Sequence, residues 1–124
     1  MSIHLTKREL DVMSVVWELG SATVGKVRDR LTDDLAYSTV LTVFRTLETK
    51  GYVRHEQEGK AFRYHPLIQP DDAGDSVLGR LLNKVYQGSR EMLVTRLVSG
   101  ENVSPEELRN IRKMLDERLE EMER

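Results

Sequence analysis

Tyr37-Ser38-Thr39-Val40-Leu41-Thr42-Val43-Phe44-Arg45-Thr46-Leu47-Glu48-Thr49-Lys50-Gly51 is the stretch on which the fold turns. At about 100° per residue, Val40, Val43, Phe44 and Leu47 fall within one sector of about 100°, and Ser38, Thr42, Arg45 and Thr49 gather opposite them. One face is built for a core and the other carries hydroxyls and a guanidinium. Threonines at 39, 42, 46 and 49 are weak helix formers on their own, so a helix here must be held by tertiary packing. Gly51 supplies its stop.

On the C-terminal side, Tyr52 to Gln57 and Lys60 to His65 read as two strands joined through Glu58-Gly59, with Pro66 as terminator. On the N-terminal side lie two helical patterns. Thr6-Lys7-Arg8-Glu9 has capping-box spacing, Leu10, Met13, Val16 and Trp17 follow at helical intervals, and Gly20 ends the run. Thr23 caps a second helix with Val24, Val27 and Leu31 on one stripe, closed by Asp33-Asp34. Trp17 is expected in the core.

Beyond Ile68, Gln69-Pro70-Asp71-Asp72 reads as a linker. Leu78, Leu81, Leu82 and Val85 then mark a helix that Gly88 ends, and Leu93 and Leu97 a short one before Gly100. Ser104-Pro105-Glu106-Glu107 is the clearest cap in the chain, opening a helix of roughly 19 residues striped by Leu108, Ile111, Leu115 and Leu119.

The chain has 124 residues, no Cys, 32% charged residues and a formal net charge of -2. These values fit a protein of one or two small units. No apolar run approaches the roughly 18 residues of a spanning helix. The opening Met1-Ser2-Ile3-His4 lacks the order of a secretory leader, and a cytoplasmic location is expected. Charge is uneven: residues 1–66 hold ten Lys/Arg against nine Asp/Glu, and residues 67–124 hold nine against twelve. Within 35–66 the bias is modestly basic, a weak footprint for nucleic acid.

Helix, helix, helix with a polar outer face, then a hairpin with a Gly tip is the chain order of a winged helix-turn-helix. The fold class expected is therefore mainly α with a small β-hairpin wing: a winged helix-turn-helix over 1–70 and a helical dimerisation region over 71–124. Slim hydroxyl side chains near a helix N-terminus suit the major groove. Ser38, Thr39, Thr42 and Thr46 meet that need, Arg45 is placed for a guanine edge or a phosphate, and Lys60 and Arg63 are placed for phosphates beside the hairpin tip. Tyr37 is a lesser candidate for phosphate.

Leu5-Thr6-Lys7-Arg8-Glu9-Leu10-Asp11-Val12-Met13 with Val16-Trp17, then Leu35 to Val43 through Leu47, Lys50-Gly51 and Tyr64, closely resemble the penicillinase-repressor family of the BlaI/MecI/CopY type. Lys84-Val85-Tyr86-Gln87-Gly88, Leu93-Val94 and Ser104 to Leu115 resemble that family's dimerisation region. The resemblance implies a homodimeric repressor on a dyad-symmetric double-stranded DNA operator, controlling a resistance or homeostasis gene, with a protease or sensor as a further partner. Where family members are cut at Asn-Phe, this chain has Arg96-Leu97. Copper-responsive members use a Cys pair, and this chain has no Cys. Ser38 and Leu41 stand where some members have Lys and Arg, leaving Thr39 and Thr42 as the matching recognition residues.

Three short helices after a polar linker bury too little alone, so pairing with a second copy is expected, with the last helix folding back as core the alternative. His4, His55 and His65 form the only raw material for a metal-responsive regulator, and their spacing carries no ligand signature. No nucleophile-base pair, phosphate loop or HExxH is present, so neither an enzyme nor a cofactor is expected. A winged helix used for protein contact is the competing non-enzymatic reading. The Ser, Thr and Arg face weighs against it, because protein interfaces centre on aromatic and aliphatic anchors.

Overall fold

Hydroxyl side chains set most of the helix starts in the computed structural model, which describes residues 3–124; Met1 and Ser2, the opening of the stretch read for a leader, lie outside the described residues. In chain order the elements are α1 (Lys7–Leu19), β1 (Ala22–Thr23), α2 (Val24–Arg30), α3 (Tyr37–Thr49), β2 (Val53–Glu58), β3 (Ala61–Pro66), α4 (Pro70–Val85), α5 (Arg90–Val98) and α6 (Pro105–Glu123). Thr6, Thr23, Ser89 and Ser104 cap α1, α2, α5 and α6 through their side chains. At α1 the capping box is complete, since Glu9 N–H donates to Thr6 Oγ1 and Thr6 N–H donates to Glu9 Oε1. Two compact units divide between Gly79 and Arg80.

In the first unit, α1, α2 and α3 pack with a three-stranded antiparallel sheet of order β1-β3-β2. Val12, Met13 and Val16 of α1, Val27 of α2, and Val40, Phe44 and Leu47 of α3 have no exposed surface. The predicted inner face of α3 is thus the buried one, with Val43 half-buried. A Schellman motif ends α3: Gly51 N–H donates to the Glu48 carbonyl, Tyr52 N–H donates to the Leu47 carbonyl, and Gly51 adopts φ +85°. That left-handed step turns the chain directly into β2.

Several expectations shift in detail. The hairpin turn is Gly59-Lys60, since Glu58 pairs with Ala61, and Gly59 takes the positive φ that a two-residue turn asks of its first residue. Lys60 therefore lies in the turn, and Tyr52 precedes the strand. β1 is an element that two residues of sequence did not reveal; it pairs with β3 through Ala22↔Tyr64 and Thr23↔Arg63. Helix α2 stops at Arg30, ahead of Asp33-Asp34. Trp17 is half-buried, its Nε1–H donating to the Ile68 carbonyl at 2.9 Å.

Gln69-Pro70-Asp71-Asp72, expected as a linker, is the start of α4, so the expected boundary after Pro70 falls within that helix's first turn. Proline at a first helical position and an acidic first turn serve a helix as readily as a loop. Asp72 Oδ2 accepts from Gln69 N–H, and Ala73 is buried in the first unit's core. The second unit holds the end of α4 with α5 and α6. These helices bury little, with Leu93 the one buried residue of α5 and none buried on α6, so within a single chain α6 is not a core element.

A part-buried ion pair ties α1 to the end of α3. Lys50 Nζ lies 2.8 Å from Glu9 Oε1, and the Glu9 side chain is only 5% exposed. Burial pushes the Glu9 carboxyl up, but the Lys50 hydrogen bond, the Thr6 N–H and hydroxyl and the Lys50 charge together outweigh it, and its pKa lies below the usual value. Ionised Glu9 therefore adds stability that is present above the ordinary glutamate range and is lost as pH falls through the lowered folded value. In thermal melts from about pH 7 to about pH 3, Glu9→Gln is expected to flatten the acid-side loss of stability. An unchanged acid limb would show that this pair does not govern it.

Candidate nucleic-acid interface

Burial of one face of α3 leaves the opposite face to solvent. Tyr37, Ser38, Thr39, Thr42, Arg45 and Thr46 are all exposed, on a helix held by three fully buried side chains. Its N-cap is Ala36, which has no side-chain hydrogen bond to give, so the first-turn N–H groups lack the hydroxyl caps of α1 and α2. Ser38 and Thr39 have no side-chain hydrogen-bond partner among the described residues, and Arg45 has no ion-pair partner there. The hydroxyls of Thr42, Thr46 and Thr49 instead donate to the carbonyls of Ser38, Thr42 and Arg45, at 2.9, 3.1 and 3.0 Å.

The hairpin is docked on α3 by an aromatic stack. Phe44 and Tyr64 rings lie 4.1 Å apart and 11° from parallel, and Tyr64 is buried on the central strand β3. Burial, with the nearby Glu48 charge, pushes the Tyr64 phenol up against a smaller opposing effect of Arg45. Glu48 near the end of α3 adds a polar clasp, accepting from His55 N–H at 3.2 Å and lying 2.7 Å from His55 Nδ1.

Charges on the hairpin largely neutralise one another. Arg63 Nε donates to Glu58 Oε2 at 2.5 Å and its Nη1 to Ser21 Oγ at 3.2 Å, so this predicted contact is already engaged. His65 Nε2 lies 2.8 Å from Glu56 Oε1. His55 pairs across the sheet with Tyr64 and His65 with Arg54, so the two histidines weighed for metal do not oppose each other. Lys60, at the tip, is exposed and makes no ion pair among the described residues.

Arg54 is the residue that sequence reading missed. It is exposed, lacks an ion pair among the described residues, and shares the register pair of His65 on the outer face of the sheet. Strand alternation was the available signal, because residues two apart share a face and put Arg54 with Glu56 and Glu58. Among the described residues, Arg45 on α3 and Arg54 and Lys60 on the hairpin make no ion pair.

Three helices, the short sheet and an exposed α3 define a winged helix-turn-helix protein. The solution structure of the DNA-binding domain of the repressor BlaI matches 58% of this chain and 93% of that one, at 32% identity and a TM-score of 0.51. Residues 5–117 match the family described as penicillinase repressor, and the chain belongs to that family. The penicillinase repressor of Bacillus licheniformis is 29% identical over 116 residues, 92% of this chain and 91% of that one. The methicillin resistance regulatory protein MecI of Staphylococcus aureus is 25% identical over 117 residues, 93% and 95% of the two chains.

Because Phe44 supports both α3 and the hairpin, Phe44→Ala is expected to cost about 3–5 kcal/mol of unfolding free energy in urea denaturation. A loss under about 1 kcal/mol would mean that the stack is not a joint of the fold.

Proposed function

We propose that this chain is a homodimeric transcriptional repressor in the cytoplasm, binding a dyad-symmetric double-stranded DNA operator and controlling a resistance or homeostasis gene. The observation that carries this reading is the α3 face: hydroxyls and an arginine without an ion pair among the described residues, exposed on a helix whose opposite side buries Val40, Phe44 and Leu47 completely. Such a helix enters a major groove without distortion of its support. Ser38, Thr39, Thr42, Arg45 and Thr46 face the bases and adjoining phosphates, with Tyr37 at the edge. Lys60 and Arg54 meet backbone phosphate, and Arg63 contributes once phosphate competes with Glu58. Membership of a repressor family and the likeness to the BlaI DNA-binding domain support the same reading.

Dimerisation through residues 71–124 is supported by the apolar stripes that α4, α5 and α6 leave uncovered. Leu78, Leu81, Val85, Leu97, Leu108, Leu115 and Leu119 are exposed, Leu82 and Ile111 are half-buried, and Leu93 is buried. Helices of this length that bury so few apolar side chains are marginal in water, and a second copy covering their stripes supplies the missing core. Two copies then present two α3 helices to two half-sites. Leu115→Arg with Leu119→Arg is expected to convert a dimer to a monomer in sedimentation velocity, and to weaken operator binding while the first unit stays folded. A dimer that survives both changes rejects this interface.

The test of DNA reading is an anisotropy titration with duplex from upstream of the chain's own gene against a random duplex. If six to ten phosphates are neutralised, affinity falls by roughly 10³ to 10⁵ between about 50 and about 200 mM salt. Arg45→Ala is expected to relax preference at one base position by about 1–3 kcal/mol, whereas Lys60→Ala weakens all sequences alike. A flat salt response, or no preference over random DNA with this duplex and with pools selected from random sequence, favours the protein-contact reading.

A further inference from the structure

The threonines of α3 do not present the chemistry that their residue type suggests. Thr42 and Thr46 each have a single hydroxyl proton, and each donates it to the carbonyl four residues back, to Ser38 at 2.9 Å and Thr42 at 3.1 Å. A hydroxyl has one donor, so these two have none left for a base acceptor such as guanine O6 or N7. With the hydroxyl proton engaged by the helix's own backbone, the methyl is the other group that each side chain has to offer a ligand. Both residues are exposed on the face opposite Val40, Phe44 and Leu47. Ser38 and Thr39 differ, since their hydroxyls are unspent among the described residues.

Resting on the proposed DNA-binding function, we infer that Thr42 and Thr46 select thymine by packing their methyl groups against its C5-methyl, and that hydrogen-bond donation from α3 to the bases comes from Ser38, Thr39 and Arg45. The thymine methyl is the one apolar group in the major groove, and threonine methyls are among its known complements. Breaking the back-bonds to free the donors would forfeit two formed hydrogen bonds for two new ones, so groove binding gives no net gain by doing so. The α3 face is then divided: donors at its first turn and at Arg45, apolar contact at Thr42 and Thr46.

The experiment starts from full-length chain and a random duplex pool. Enrichment of a motif establishes DNA reading; no enrichment would fail the underlying function and not the methyl assignment. On the enriched duplex, each thymine is replaced singly by deoxyuridine, which removes only the methyl. Wild-type binding is expected to fall about four-fold at the thymine facing Thr42 and at that facing Thr46, the worth of one buried methyl. Thr42→Val and Thr46→Val keep the methyl and are expected to keep both affinity and the deoxyuridine penalty. Thr42→Ser and Thr46→Ser keep the hydroxyl and are expected to erase the penalty at their own positions. Absence of any deoxyuridine penalty in wild type, a penalty that survives both serine variants, or valine variants that lose binding while serine variants retain it would overturn the assignment.

Discussion

Phe44 and Tyr64 form the contact on which the first unit depends. Phe44 lies on the inner face of α3 and Tyr64 on the middle strand of a three-stranded sheet, and their rings stack at 4.1 Å with little tilt. One buried pair therefore sets the direction of the exposed α3 face and the position of the hairpin together. The Schellman turn at Gly51 makes the same connection through the backbone, because it leaves only the tightest possible path from helix to strand. Around this joint the interior is mostly aliphatic, with Val12, Val16, Val27, Val40 and Leu47 fully buried beside Met13.

Electrostatics on the outer side follow from strand register. Antiparallel pairing brings Arg63 within reach of Glu58 and His65 within reach of Glu56. Exposed pairs of this kind contribute little to stability. Their consequence is to neutralise charges on the hairpin, where Arg54 and Lys60 are left without an ion pair among the described residues, as Arg45 is on α3. In a chain whose net charge is -2, where unpaired cations sit counts for more than the total.

The second unit shows the opposite balance. Its helices are well started, with Ser89 and Ser104 each accepting a first-turn N–H, yet α5 buries only Leu93 and α6 nothing. Local signals suffice to define where such helices begin and end, but burial of their apolar stripes needs a surface that one chain does not provide. The same property that makes α6 legible in sequence, a regular leucine stripe under a strong cap, makes it incomplete as a monomer.

Helix identity was legible because capping and periodicity are local: Thr6, Thr23 and Ser104 announce their helices, and the buried face of α3 can be drawn from residue spacing alone. The α3 site residues came from the same arithmetic, since whatever faces away from a core face is exposed. Strand β1, the turn at Gly59-Lys60 and the start of α4 at Pro70 were not legible, because a two-residue strand has no period and Pro-Asp-Asp suits a turn and a helix start equally. Partner choice lay further out of reach. That Arg63 is engaged by Glu58 while Arg54 is free, and that Thr42 and Thr46 spend their protons on their own helix, depends on register and rotamer. The sequence by itself determined which faces are apolar and where the helices are capped, because those are set within a few residues; only the tertiary structure decided which polar groups remain unspent on the surface, because that depends on neighbours distant in sequence.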